Sequence, residues 1–274
     1  MFKQTVGSCL LIGLLVFSAC KKTEIDREMQ SAQDLHLAET VCNQIIAIAL
    51  AEAHAEPLVN NRTDSTDSNR LAVDCASKGL FGQVANFPGG TVTLSLDYNG
   101  VACADIDNKA RQGNLSLVFT NNYWSNRNAS FVASPSGYFD ETVMVNGNFN
   151  FRHVGTDTFE VTLEFGKITG SGFSFAYTFS KQVYWTQGSD TDANLTDDVF
   201  VMEGSFEGTN RNGRSFTGAI ETPIVWETVC GYSKIGEVTI VPSALAARKV
   251  IYRTNCMNTA TLNLHGEDSA LSLK

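Results

Sequence analysis

Beyond Leu71 apolar and polar residues alternate almost one for one, and this period of two restricts the fold more than any other feature of the chain. Val92, Leu94, Leu96 and Tyr98 are interleaved with Thr93, Ser95 and Asp97. The same alternation recurs in Phe159-Val161-Leu163-Phe165 and in Phe173-Phe175-Tyr177-Phe179. Successive side chains of a strand point to opposite faces, so each run reads as a half-buried β-strand. Asn146-Gly147 and Asn212-Gly213 sit between strand-like residues. Asn-Gly tolerates positive φ at both positions and is the strongest short hairpin signal. The expectation is a mainly β protein, an antiparallel β-sandwich or open barrel of about 10–12 strands.

Ahead of this region the period is helical. From Glu24 to Glu56 there is no Gly or Pro, and Ala38, Cys42, Ile45, Ala49 and Ala53 recur at spacings of three and four. One amphipathic N-terminal helix fits that pattern, ended by Pro57. His36 and His54 lie 18 residues apart on one helix face. At about 1.5 Å per residue they are too distant to share a metal, and they read as solvated positions. Residues 60–70 are polar and turn-rich and read as a linker.

The first twenty residues set an address. Lys3 precedes an apolar run from Val6 to Phe17, and the small residues Ser18 and Ala19 lead to Cys20. That is the layout of a secretory signal, and the run falls short of the roughly 20 apolar residues that span a bilayer as a helix. Phe17-Ser18-Ala19-Cys20 resembles the lipobox of bacterial lipoproteins. The resemblance implies cleavage before Cys20, acylation of its thiol, and an outer-membrane lipoprotein that is periplasmic or surface-exposed. Lys21 and Lys22 resemble the start of lipoproteins that some diderm bacteria sort to the cell surface. The organisation expected is a signal peptide over 1–19, a lipid anchor and acidic helix over 20–59, the linker over 60–70 and the β domain over 71–274.

Charge narrows the partners. The chain carries a net −9, and removing residues 1–19 takes away Lys3 and leaves −10. No Lys/Arg stripe offers the basic footprint that phosphate backbones require, so nucleic acid is not expected as a partner. The membrane contact expected is the N-terminal lipid. Residues 24–56 hold seven carboxylates against Arg27 alone, a dense acidic segment.

Cysteine spacing carries an internal echo. Cys75 and Cys103 are 28 apart, Cys230 and Cys256 are 26 apart, and an alternating strand runs into the second member of each pair. The symmetry favours Cys75 with Cys103 and Cys230 with Cys256, as an oxidising envelope permits. Cys42 is left as a small packing residue on the helix.

The turn-and-strand run Gly137–Asn148, then Asp197-Asp198-Val199-Phe200, Gly204–Gly213 and Cys230–Cys256, together with the acidic helix, resembles a group of uncharacterised β-rich envelope lipoproteins of diderm bacteria. The resemblance implies fold and address, and no activity.

Three kinds of chemistry have candidate residues or motifs to consider in the chain. The loop Gly188–Asp198 spaces oxygen side chains at alternate positions, with Asp190, Asp192, Asn194 and Asp197 as candidate calcium ligands. It lacks the Gly and closing Glu of an EF-hand. The run Asp105-Ile106-Asp107-Asn108 is a weaker variant. Trp124 and Trp185, each beside a tyrosine, are candidate faces for sugar. For nucleophilic catalysis no elbow, CxxC, HExxH or phosphate-cradling motif is present, and His153 and His265 have no sequence-evident partners. The expectation is a non-enzymatic lipoprotein with a binding or structural role toward a glycan or an envelope protein. The alternative is a surface glycan-binding or glycan-processing accessory protein.

Overall fold

A computed structural model describes residues 26–272, apart from 57, 59–75, 88, 99–102, 105–106, 124–126, 192–195 and 254–255. The helix α1 (Gln30–Ala55) is followed by β1 (Ser77–Gly82), β2 (Val92–Asp97), β3 (Cys103–Ala104), β4 (Ala110–Phe119) and β5 (Ser130–Asp140). Then come β6 (Val143–Gly155), β7 (Thr158–Gly170), β8 (Phe173–Gln187), β9 (Val199–Thr209) and β10 (Ser215–Glu227). The chain ends with β11 (Ser233–Pro242), β12 (Arg248–Tyr252), β13 (Thr259–Leu264) and β14 (Glu267–Ser272). All belong to one antiparallel sheet in which sequence neighbours are spatial neighbours, with the two-residue β3 pairing onto β4. The sheet is open, with β1 and β14 at its edges. The mainly β, antiparallel reading therefore holds, with more strands than expected because the long hairpins continue to the C-terminus.

The helix is not a surface element. Every residue from Asp34 to His54 is buried, on all sides of the cylinder. Its neighbours come from β6, β8, β11, β12 and β14, so the sheet curls around it. The curl brings distant strands together: Lys109, one residue before β4, donates Nζ to the Gly231 carbonyl ahead of β11 at 2.6 Å. Helix and sheet share a single apolar core in which Ile45, Ile46 and Leu50 join Leu94, Phe149, Val161 and Val238. The expectation of solvated histidines is thus overturned, since His36 is 1% and His54 8% exposed. Periodicity reported the apolar stripe but not that the opposite face would also be covered.

Two strand readings need correction. Asn146-Gly147 is not a hairpin turn but a bulge inside β6, with Gly147 at φ 135° and the register against β7 slipping between Asn146 and Asn148. Asn212-Gly213 does lie in the turn between β9 and β10, where Gly213 takes φ 81° and donates its N–H to Asn210. In β7 the alternation holds for Phe159, Val161 and Leu163, all buried, and then breaks. A second register slip, between Leu163 and Lys167, turns Phe165 outward.

Candidate functional site

The acidic content of the helix is directed inward, where burying a charge is tolerated only beside a partner. Glu39 accepts from two donors on β8: Lys181 Nζ at 2.9 Å, and the Tyr177 hydroxyl four residues earlier on the same strand. Lys181 also donates to Asn43 Oδ1 at 2.6 Å, and Asn43 Nδ2 reaches Glu39 Oε2 at 3.1 Å. Both members of the Glu39–Lys181 pair are fully buried. Burial, and then the charge of Glu39, hold the Tyr177 hydroxyl well above the ordinary phenol range, so it stays a donor. Cys42 is buried beside this network, and burial pushes its thiol up. Such a thiol is inert packing.

His36 lies one turn earlier, its ring 5.6 Å from that of Tyr252 in β12. Burial lowers its pKa to about 4, with the Lys109 charge acting in the same direction against Glu39. It therefore stays neutral down to about pH 4, where a solvated histidine would already carry its proton.

The approach to the helix is clamped. Arg248 at the start of β12 is buried and binds Asp26 and Glu28, each at 2.8 Å. Glu28 in turn accepts the Ser31 N–H at 2.7 Å, filling the place of the absent N-cap side chain at the positive end of the helix dipole. Asp34 receives the Arg211 backbone N–H at 2.8 Å and its Nε at 2.7 Å, so the β9–β10 turn is tied to the helix. At the other end Lys78 of β1 pairs with Glu52 at 3.2 Å and Glu56 at 3.4 Å.

A third cluster closes the curl. Arg111 in β4 holds Asp107 bidentately at 2.9 and 2.6 Å, both side chains fully buried. Lys109 lies 4.1 Å over the Tyr232 ring. Burial raises the pKa of Asp140, opposed by Lys109 and Arg111. Asp107 is therefore spent on an arginine, not on calcium. Gly231 is required here, because at its φ of 62° a Cβ would stand 2.8 Å from an Asp107 carboxylate oxygen.

Cys230 and Cys256 form a disulfide, with Cα atoms 5.0 Å apart. Cys20 and Cys75 lie outside the described residues, and Cys103 sits in β3 without a described side chain. Trp124 also lies outside them. Trp185 is 4% exposed, packs on Phe200 and His54, and donates Nε1 to Asp198 at 3.2 Å. It is a core residue and cannot offer its face to a sugar. In the proposed calcium loop Asp192 and Asn194 lie outside the described residues, Asp190 is exposed, and Asp197 accepts the Thr191 hydroxyl at 3.0 and 2.9 Å. Among the described residues, the donors close enough to hold a metal are Glu227, Cys230 and Cys256, whose sulfurs the disulfide consumes. His153 stacks on Phe159 in the core, and His265 occupies the β13–β14 turn.

What sequence reasoning missed is the set of inward cations. Lys181 falls in phase with Tyr177, Phe179, Val183 and Trp185, and Arg248 in phase with Val250 and Tyr252, so a strict count of two places both inside. Read against an acidic helix, that phase is a signal. No family model, curated protein or solved structure matches the chain.

Proposed function

We propose that this chain is a lipid-anchored lipoprotein of the bacterial outer membrane, periplasmic or surface-exposed, with a non-enzymatic binding or structural role. The observation that carries the reading is the Cys230–Cys256 disulfide, because structural disulfides persist in oxidising compartments such as the envelope. The lipobox resemblance at Cys20 supplies the route there. Asp26, held by Arg248, stands six residues beyond Cys20, so the acylated residue reaches at most about 20 Å from the clamp. Force on the anchor passes through Asp26, Glu28 and Arg248 into the helix and the sheet around it. A single acyl chain binds a membrane only marginally, whereas the several chains of a bacterial lipoprotein hold it firmly. The mutual engagement of Glu39 with Lys181, Asp107 with Arg111, and Asp34 with Arg211 suits a rigid scaffold that presents its outer surface.

The test is metabolic labelling with palmitate in a diderm host. Labelled protein in the outer-membrane fraction, with label lost in Cys20→Ala, is expected. An unlabelled chain retaining residues 1–19 contradicts the reading.

A further inference from the structure

We propose that Cys230, Cys256 and Glu227 become a zinc site when the Cys230–Cys256 disulfide is reduced, so that this end of the sheet exchanges a covalent cross-link for a metal one. A carboxylate oxygen of Glu227 and the two sulfurs all lie within 4.8 Å of one another. Glu227 Oε2 stands 3.5 Å from Cys230 Sγ. With Zn–S near 2.3 Å and Zn–O near 2.1 Å, a sulfur and an oxygen on one tetrahedral zinc are about 3.6 Å apart, so this edge has the length the metal requires. The two sulfurs, freed from their bond, need to part to about 3.8 Å to complete the face. Two thiolates and a carboxylate leave the fourth position to water, and thiolate donors favour zinc over the hard cations magnesium and calcium.

The surrounding fold holds these donors together independently of the sulfur–sulfur bond. In the β11–β12 hairpin Gly236 faces Tyr252, so the segments carrying Cys230 and Cys256 leave its open end side by side. The Glu227 carbonyl accepts the Cys230 N–H at 3.0 Å and the Gly231 N–H at 3.3 Å, a turn that sets the carboxylate beside the sulfur. Lys109 fixes the far side of that turn through the Gly231 carbonyl at 2.6 Å. Lys234 Nζ binds Glu227 Oε1 at 2.5 Å and leaves Oε2 turned toward Cys230. A partner that orients a ligating carboxylate in this way is a regular part of zinc sites. Cys230 is buried, whereas Cys256 is exposed and Glu227 partly so. An incoming thiolate therefore meets the Cys256 sulfur, and the metal has a path from solvent.

The reductant is a dithiol. Its thiolate attacks Cys256, the Cys230–Cys256 bond breaks, and the dithiol closes to its own disulfide, having supplied two electrons and two protons that leave both cysteines as thiols. Zinc then forms two Zn–S bonds and releases those two protons.

The site goes beyond the lipoprotein reading and does not depend on it. It is tested on the full-length chain purified in detergent, reduced with a phosphine under argon, freed of reductant and titrated with zinc chloride. The reduced chain is expected to stay folded by circular dichroism and to bind one zinc more than Cys256→Ser does, whose remaining thiols set the background. Zinc should raise the Tm of the reduced chain, as binding to the folded form alone requires, and leave the oxidised chain unchanged. Glu227→Gln, which keeps the shape of the side chain and removes its charge, should weaken the extra site about tenfold or more. Glu237→Gln, an acid of the same strand whose partner is Lys249, should leave it unaltered. Uptake no greater than in Cys256→Ser, equal binding by the oxidised chain, an affinity untouched by Glu227→Gln or lowered as much by Glu237→Gln, or loss of folded structure on reduction overturns the site.

Discussion

At the scale of single residues, the stability of the molecule depends on charges that have no access to water. Removing one member of a buried ion pair leaves the other uncompensated, at a cost of about 3–5 kcal/mol, whereas replacing both by apolar residues is often close to neutral. Lys181→Met should therefore lower unfolding free energy in urea by about that amount. The double variant Glu39→Leu with Lys181→Met should recover most of the loss, and equal destabilisation of the single and double variants would contradict the pairing. His36 gives a pH signature of known sign. Its folded pKa, about 4, lies below the unfolded value of 6.5, so the unfolded state binds the extra proton. The neutral ring faces Glu39 on its own helix, Lys109 beside β4 and Tyr252 of β12. The stability associated with it is complete above pH 6.5 and is lost as pH falls toward 4, by up to about 3 kcal/mol. Urea unfolding at pH 5 and pH 7.5 should show this slope in the wild type and a reduced one in His36→Phe. These residues were partly legible: the inward phase of Lys181 and Arg248 stands in the alternation of their strands, but which carboxylate each meets depends on the curl of the sheet.

At the scale of elements, periodicity located what it measures and missed what interrupts it. The strands through Val92–Tyr98 and Phe173–Phe179 are where alternation placed them. Asn146-Gly147 misled because the same tolerance of positive φ serves a bulge as well as a turn. Phe165 misled because a bulge shifts the phase by one, and nothing in Leu163-Glu164-Phe165-Gly166 besides the glycine announces it. The bulge in β6 is testable. A Cβ at Gly147 would meet Leu163 Cδ1 at 2.7 Å and the Glu164 carbonyl at 3.0 Å, at a φ of 135° closed to other residues. Gly147→Val should cost about 2 kcal/mol or more by thermal denaturation, and an unchanged Tm would argue against the bulge. Helix α1 is the clearest case of a partial reading. Its extent, its stripe of small apolar residues and its acidic content were visible, but not the partners of those acids, which are Arg248, Arg211, Lys181 and Lys78.

At the scale of the whole molecule, a single sheet and the helix it surrounds form one cooperative body, tied near the β10–β11 turn by Cys230–Cys256. A loop of this size stabilises by about 3.5 kcal/mol in the chain-entropy description. Cys256→Ser should lower the urea midpoint accordingly and raise the m-value, because the unfolded chain loses its cross-link and exposes more surface, and an unaltered midpoint would deny the disulfide a stabilising part. The pairing of these cysteines was legible from their spacing, because the intervening strands β11 and β12 form a hairpin that returns the chain to its start. The burial of the helix was not, because it requires strands as far apart in sequence as β6 and β14 to converge on it. That burial is the central claim, and hydrogen exchange followed by mass spectrometry tests it most directly. If the sheet surrounds the helix, amides from Asp34 to His54 exchange only through global unfolding, as slowly as those of β6 to β8. Exchange of the helix well ahead of these strands, at a rate set by local opening, would contradict the account.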